Sequence, residues 1–287
     1  MKPMSDNSKT FSFELFPAKT EQGIAKMRDA IDLLNARQPE YFSVTYGAGG
    51  STQDKTFATV DWILDQGIEV APHLSCMGST SDQITEILER YESQGIKRIV
   101  ALRGDLPSGS GAGSMGELNY ANELVALICD RFPGRFRIEV AAYPEMHPQA
   151  PSFERDLDNF KRKVAAGADA AITQYFYNAD AYGSFMDACA KRSIQIPVVP
   201  GIMPITNFSS LVRFSDACGA EIPRWLRKRL EGYGDDIDSI RKLGIEAVSR
   251  LCGQLLDMGA PGLHFYTMNQ AEPTLSIWDN LGLGGHP

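Results

Sequence analysis

The sequence is short of several things at once, and each shortage removes a class of protein. It has five cysteines in 287 residues (Cys76, Cys129, Cys189, Cys218, Cys252), an odd number, widely spaced and without a CxxC pair. That usage fits reduced thiols in a cytoplasmic protein and argues against a disulfide framework or a cysteine-based zinc site. No run approaches the roughly 18 apolar residues of a membrane helix, and Met1 to Thr10 is polar, with no signal-peptide core. Positive charge is in the minority, with 28 Lys and Arg against 36 Asp and Glu and a net charge of −8. Such a chain has no strong field to draw nucleic acid, although a local basic pocket for one anionic cofactor is compatible with it. The reading is a cytoplasmic globular protein with neither a nucleic-acid nor a membrane partner.

Missing motifs narrow the chemistry. The four histidines, His73, His147, His264 and His286, are isolated, so the HxH and HxxEH-type patterns of metal hydrolases are absent and no metal site is assigned. A lone histidine such as His264 reads as a satisfied core residue or as one that supports a functional neighbour. There is no GxSxG elbow, and no strand end carries a Schiff-base lysine. After the first strand the chain reads Phe16-Pro17-Ala18-Lys19 instead of a glycine-rich dinucleotide turn. What remains is acid–base work beside a bound cofactor, or electrostatic tuning of one.

What the chain does have is an unbroken alternation of β-rich runs and helical patterns. The strand candidates are Phe11–Phe16, Tyr41–Tyr46, Glu69–Cys76, Arg98–Asp105, Arg137–Tyr143, Ala170–Phe176, Pro197–Met203 and Gly262–Met268. Helical apolar stripes lie between them: Ile24, Met27, Ile31, Leu34; Ile84, Ile87, Leu88, Tyr91; Ile240, Leu243, Ala247, Leu251. Thr80 and Gln83 read as a capping box, and Gly67, Gly95, Gly167 and Gly259 fall where helices should end. Eight strand–helix units predict a single (β/α)8 TIM barrel of α/β class over residues 1–287, with residues 1–9 a polar N-terminal tail. The stretch Ala217–Asp238 reads as an extra helix and loop before the last strand. A doubly wound sheet is the competing topology.

Alternation along strands sorts side chains to the two faces of a barrel. It groups Ser12 with Glu14 on strand one, Ser43 with Thr45 on strand two, and Ala71, His73 and Ser75 on strand three. Ala101, Arg103 and Asp105 form the group on strand four. Glu14, Thr45, His73, Asp105, Tyr143 and Gln174 thus come from different strands and mostly fall near the C-terminal rim, where barrel active sites lie. Six polar groups there are costly as bare core, because each needs a partner.

Ten short tags then carry a resemblance. They include Phe13-Glu14-Leu15-Phe16-Pro17, Ser43-Val44-Thr45-Tyr46-Gly47-Ala48, Ala71-Pro72-His73-Leu74 and Ala101-Leu102-Arg103-Gly104-Asp105-Leu106-Pro107. Further along come Ala142-Tyr143-Pro144-Glu145 with His147-Pro148, Lys161-Arg162-Lys163, Ile172-Thr173-Gln174-Tyr175-Phe176, Pro200-Gly201-Ile202-Met203-Pro204, Asn207-Phe208 and His264-Phe265-Tyr266-Thr267. In this order, from about Phe11 to the end, they resemble the bacterial-type methylenetetrahydrofolate reductase family. The resemblance implies an FAD-containing barrel that reduces 5,10-methylenetetrahydrofolate to 5-methyltetrahydrofolate with NADH or NADPH as donor, by ping-pong hydride transfer. Flavin contacts are implied at Thr45, Tyr46, Ala48, His73, Arg103, Gly104, Asp105, Tyr120, Ala121, Tyr143, His147, Asp156, Asn159, Arg162 and Lys163. Folate contacts are implied at Glu14, Asp105, Gln174 and Phe208. One departure stands out: where relatives read Tyr-Thr-Leu-Asn-Arg, this chain reads Tyr266-Thr267-Met268-Asn269-Gln270. Gln270 therefore lacks the charged donor of a substrate-contacting arginine.

Two carboxylates carry the catalytic expectation. Hydride can reach the substrate's bridging carbon only after its ring opens, which needs a proton at N10, and Glu14 is the expected acid. Burial among aromatic walls is expected to raise its pKa; the competing role is a structural pair with a rim lysine such as Lys19. Asp105 is expected to tune the flavin and to bind the pterin. Read without the resemblance, two alternatives stay open: a barrel lyase or hydrolase with a divalent metal between Glu14 and Asp105, and a non-catalytic flavin- or folate-binding module. The sequence leaves the nicotinamide preference, the reaction direction, the polyglutamate preference and the choice between monomer and homo-oligomer undecided.

Overall fold

The computed structural model describes residues 9–46, 51–104 and 116–283. Among the described residues nine parallel strands, all but β7 and β8 separated by helices, are β1 (Thr10–Leu15), β2 (Tyr41–Val44), β3 (Val70–Ser75), β4 (Arg98–Leu102), β5 (Arg137–Ala142), β6 (Ala170–Thr173), β7 (Val198–Val199), β8 (Gly201–Ile202) and β9 (Gly262–Tyr266). They hydrogen-bond in the order β7-β6-β5-β4-β3-β2-β1-β9-β8. The two end strands are consecutive in the chain, separated only by Pro200, so the chain itself joins the sheet's edges into a nearly closed TIM barrel.

The expected seventh strand, Pro197–Met203, is therefore two short pieces that face different neighbours. Proline has no N–H for a ladder, and Pro200 contributes only its carbonyl, which accepts from His264 N at 2.9 Å. Gly201 N donates instead to the Thr173 side chain at 2.9 Å, and Tyr266 Oη donates to Thr173 O at 2.7 Å. A Cβ on Gly201 would lie 2.1 Å from that carbonyl, which is why the seam takes glycine.

The helices are α1 (Glu21–Asn35), α2 (Ser51–Asp65), α3 (Ser81–Ser93), α4 (Ala121–Arg131), α5 (Phe153–Ala165), α6 (Ala179–Lys191), α7 (Phe208–Cys218), α8 (Arg224–Gly232), α9 (Ile237–Asp257) and α10 (Glu272–Asn280). α3 buries the stripe Ile84, Ile87, Leu88 and Tyr91 and starts in a reciprocal Thr80–Gln83 capping box. α8 is the extra helix expected before the last strand. Outward-facing Phe13, Leu15, Phe42, Val44 and Phe265 meet the helices in one large core. A second, small cluster of Tyr41, Ala71, Val100 and Ile172, with Leu102 and Tyr266 against it, fills the lumen.

The N-terminal half of the lumen is closed by polar groups. Tyr41 Oη donates to Glu139 Oε2 at 2.6 Å, and Arg98 pairs with Glu139 and Glu40 while its guanidinium covers the Tyr41 ring at 4.3 Å. Removing one partner of such a buried pair costs about 3–5 kcal/mol. This end is structural; the other end is open to function.

Strand four also departs from expectation. It stops at Leu102, with Val100 in the lumen and Ala101 in the outer core. Ala101 and Arg103 therefore do not share the lumen face; Gly104, at φ +83°, turns the chain away, and Arg103 belongs to the rim.

Candidate active site

Glu14 is the next-to-last residue of β1, and its backbone carbonyl is fixed by Thr267 Oγ1 at 2.6 Å. Its side chain is 18% exposed at the C-terminal mouth. His73 on β3 brings Nε2 to 3.3 Å from Glu14 Oε2, an ion-pair distance without hydrogen-bond alignment. His264 on β9 places Nε2 3.5 Å from the same oxygen. Lys19 has no such contact in the structure; histidines take the role considered for it. Burial pushes the Glu14 carboxyl up, but attraction to His73 and the contacts of His264 and His73 outweigh it and hold it at about 2. The expected rise is thus reversed. Aromatic walls are visible from neighbouring sequence, whereas two histidines arriving from strands three and nine are not.

Beside the mouth lies a cleft of about 780 Å³. Its walls are Arg103 and Gly104 after β4, Tyr120 and Ala121 at the start of α4, Tyr143 and His147 after β5, and Asp156, Asn159, Arg162 and Lys163 on α5. The last four recur at helical spacing, off the buried Leu157 and Phe160. Leu102 lines the cleft and also packs on the lumen cluster, so the two spaces adjoin. Internal bonds set the wall: Asp156 accepts from His147 N at 2.8 Å, Arg103 donates to Gln149 at 2.7 Å, Arg162 donates to Asn159 at 3.0 Å, and the Tyr143 and His147 rings meet edge-on at 4.6 Å. Lys163 Nζ donates to Ala141 O at 2.5 Å; burial lowers its ammonium to about 8, with Asp156 opposing the fall.

These residues suit a large ligand with an anionic centre. Arg103, Arg162 and Lys163 converge with the N-terminus of α4, which adds a partial positive charge. The Nε of Arg103 is buried without a hydrogen-bond partner among the described residues, an expensive state that an incoming acceptor would relieve. The volume falls within the roughly 300–1,000 Å³ typical of cofactor sites. FAD, with two aromatic ends around a pyrophosphate, matches that donor set.

Ten of the residues singled out for the cofactor thus meet in one cleft. Thr45, which donates its N–H to Leu15 O at 2.9 Å, and Tyr46, whose hydroxyl accepts from Gln53 at 2.9 Å, sit instead after β2, and His73 joins Glu14. Gln174 lines a small crevice with Tyr143, so it borders the cleft. Phe208, the first residue of α7, packs partly against the outer core. Gln270 is exposed on the turn after β9. Ala48 and Asp105 lie outside the described residues, as do Gly47, Gly49, Gly50, the stretch Ser108–Ser114 and His286. Among the described residues no group of three or more His, Cys, Asp or Glu is arranged to hold a metal. Sequence reasoning missed Ser12 and Ser43, which flank His264, and Gln149 beneath Arg103. Ser12 was legible in one respect, since it shares the strand face of Glu14.

Fold and site together define an α/β-barrel protein with a carboxylate at the barrel mouth and a cofactor-sized cleft with three cationic side chains beside that mouth. The sequence pattern of methylenetetrahydrofolate reductase matches residues 2–282, and the chain belongs to that family. It is 40% identical over 273 residues to the 5,10-methylenetetrahydrofolate reductase of Escherichia coli (strain K12), covering 95% of this chain and 90% of that one. It is 36% identical to methylenetetrahydrofolate reductase (NADH) 1 of Zea mays, across 97% of this chain and 49% of that longer protein. Among solved structures, a Clostridium thermocellum protein that binds two copies of 5-methyl-5,6,7,8-tetrahydrofolic acid superposes with a TM-score of 0.65 at 17% identity, over 96% of this chain and 93% of that one. At that identity the likeness is one of fold. No helix among the described residues is long and apolar enough to cross a membrane.

Proposed function

We propose that this chain reduces 5,10-methylenetetrahydrofolate to 5-methyltetrahydrofolate in the cytoplasm, with FAD held in the cleft and NADH or NADPH as the donor. The observation that supports it is the meeting of ten residues, singled out by the family resemblance, around one cleft that carries Arg103, Arg162 and Lys163 and lies beside the barrel mouth. A flavin bound there would supply hydride-transfer chemistry between the nicotinamide and the folate, for which ping-pong kinetics would be expected. Arg103, Arg162 and Lys163 hold its pyrophosphate as charge-assisted donors. Tyr120 and Tyr143 offer flat apolar surface to its aromatic portions. Asp105 would be the residue that binds the pterin, and its negative charge would tune a flavin bound nearby toward hydride donation.

The proton for N10 of the substrate belongs to the Glu14–His73–His264 cluster as a unit, because Glu14 alone is ionised near neutrality. Gln174 offers both a donor and an acceptor to a pterin or a carboxamide, and Phe208 offers a ring to stack on.

The test is the absorption spectrum of freshly purified protein, followed by anaerobic mixing with each nicotinamide and each folate. Flavin absorbance that bleaches with NADH or NADPH and returns with methylenetetrahydrofolate is expected. Colourless protein, or bound flavin that no nicotinamide reduces, overturns the reading.

A further inference from the structure

We propose that His264 is a positioning residue for Glu14, and that Ser12 decides which imidazole nitrogen faces the carboxylate. The proposal deepens the reading of Glu14 given above and rests on it for its catalytic meaning. Ser12 and His264 are register partners on the adjacent strands β1 and β9. Ser12 Oγ and His264 Nδ1 are 2.7 Å apart, and His264 is fully buried. Its other nitrogen, Nε2, stands 3.5 Å from both Glu14 Oε2 and Ser43 Oγ.

Every group that faces this pair can be named. His73 approaches Glu14 from β3 and Tyr266 from β9. Around His264 are Ser12 on β1, Ser43 and the stacked Tyr41 ring at 6.2 Å on β2, and the Tyr266 ring edge-on at 5.4 Å. Both tyrosine hydroxyls donate away from the imidazole, Tyr41 to Glu139 and Tyr266 to the Thr173 carbonyl, and Tyr41 also interacts with the Ser12 side chain. Burial raises both well above the usual phenol range, so they stay neutral.

The tautomer follows from these contacts. With the proton on Nδ1, the imidazole would donate to Ser12 and turn its Nε2 lone pair toward an ionised carboxylate, which repels it, with Ser43 Oγ at 3.5 Å the group left to donate to it. With Ser12 donating to Nδ1, the proton sits on Nε2 and faces Glu14. The second arrangement satisfies the buried serine, the buried imidazole and the carboxylate at once. Ser12 thereby fixes the ring, and the ring fixes one oxygen of Glu14 and favours its ionised form.

The test uses the full chain as purified. Nitrogen-15 spectra of labelled histidine report the tautomer of His264. Carbon-13 spectra of labelled glutamate report the titration of Glu14, whose signal is the one lost in Glu14→Gln. The wild type should show the Nε2–H form. His264→Asn should move the Glu14 midpoint up by about one pH unit or more, the worth of one charge-assisted bond. His264→Gln, which restores a donor near Nε2, should return most of that shift; a packing role would give no such rescue. Ser12→Ala should mix the two tautomers and raise the midpoint by less. An Nδ1–H wild type, or an unmoved midpoint in folded His264→Asn, overturns the proposal. If His264→Asn does not fold, Ser12→Ala decides: an unchanged tautomer and midpoint there overturn it equally. These spectra read the pair directly, so a chain that failed to reduce folate would sink the catalytic reading without deciding this one.

Discussion

Glu14 and His73 meet across the barrel mouth, Oε2 to Nε2 at 3.3 Å, although β1 and β3 are not neighbours and β2 lies between them. The contact spans the lumen because alternation turns both side chains inward near the C-terminal ends of their strands. It makes the carboxylate part of a charge cluster, and the first two predictions follow from that.

Glu14→Gln keeps the shape and removes the carboxylate from the cluster assigned the proton. Reduction of bound flavin by the nicotinamide donor should change by less than about threefold, while folate reduction should fall by about 10²–10⁴, the usual worth of general acid catalysis. Stopped-flow measurement of each half-reaction checks this, and equal losses would separate the Glu14 cluster from the folate proton transfer.

The same cluster should contribute to acid stability. The Glu14 carboxyl is held at about 2 in the folded chain, below the ordinary 4.5. A depressed pKa contributes stability that is complete above the unfolded value and disappears as pH falls through the folded one. Stability should therefore decline from about pH 4.5 toward pH 2, and Glu14→Gln should flatten that part of the curve. Urea unfolding at a series of pH values tests it; parallel curves for both proteins would contradict the pairing.

Arg162 is exposed at the cleft and donates through one guanidinium nitrogen to Asn159 on its own helix, so the guanidinium lies within reach of an anionic ligand. Arg162→Ala should weaken flavin retention by about tenfold, the scale of a charged hydrogen bond. Flavin fluorescence on serial dilution measures it, and an affinity within about twofold of wild type would exclude a pyrophosphate contact.

Gln270 follows a taut turn. Met268 and Asn269 both have left-handed backbone, at φ 52° and 54°, and the Asn269 amide bonds to both the N–H and the carbonyl of Phe16, at 3.0 and 2.8 Å. Position 270 is thus held firmly at the rim, and Gln270→Arg should tighten folate or nicotinamide binding several-fold through a charged donor. Unchanged dissociation constants for both ligands would make the position irrelevant to recognition.

The strands and helices were legible because periods of two and 3.6 are local properties, whereas spacing alone makes Arg162 and Lys163 a solvated face of α5 and only the family resemblance marks them as ligand contacts. The ends were harder. Strand four stops at Leu102 because Gly104 turns, and strand seven divides at Pro200 because the barrel seam runs there.

By itself the sequence determined the barrel and the polar character of its rim, since alternation and capping act within a few residues, while the residues around the cleft came from the family resemblance. Only the tertiary structure decided the ionisation of Glu14. That depends on His73 and His264, which lie 59 and 250 positions further along the chain and act at 3.3 and 3.5 Å. Electrostatic energy falls with distance in space, and no count of residues along a chain supplies that distance.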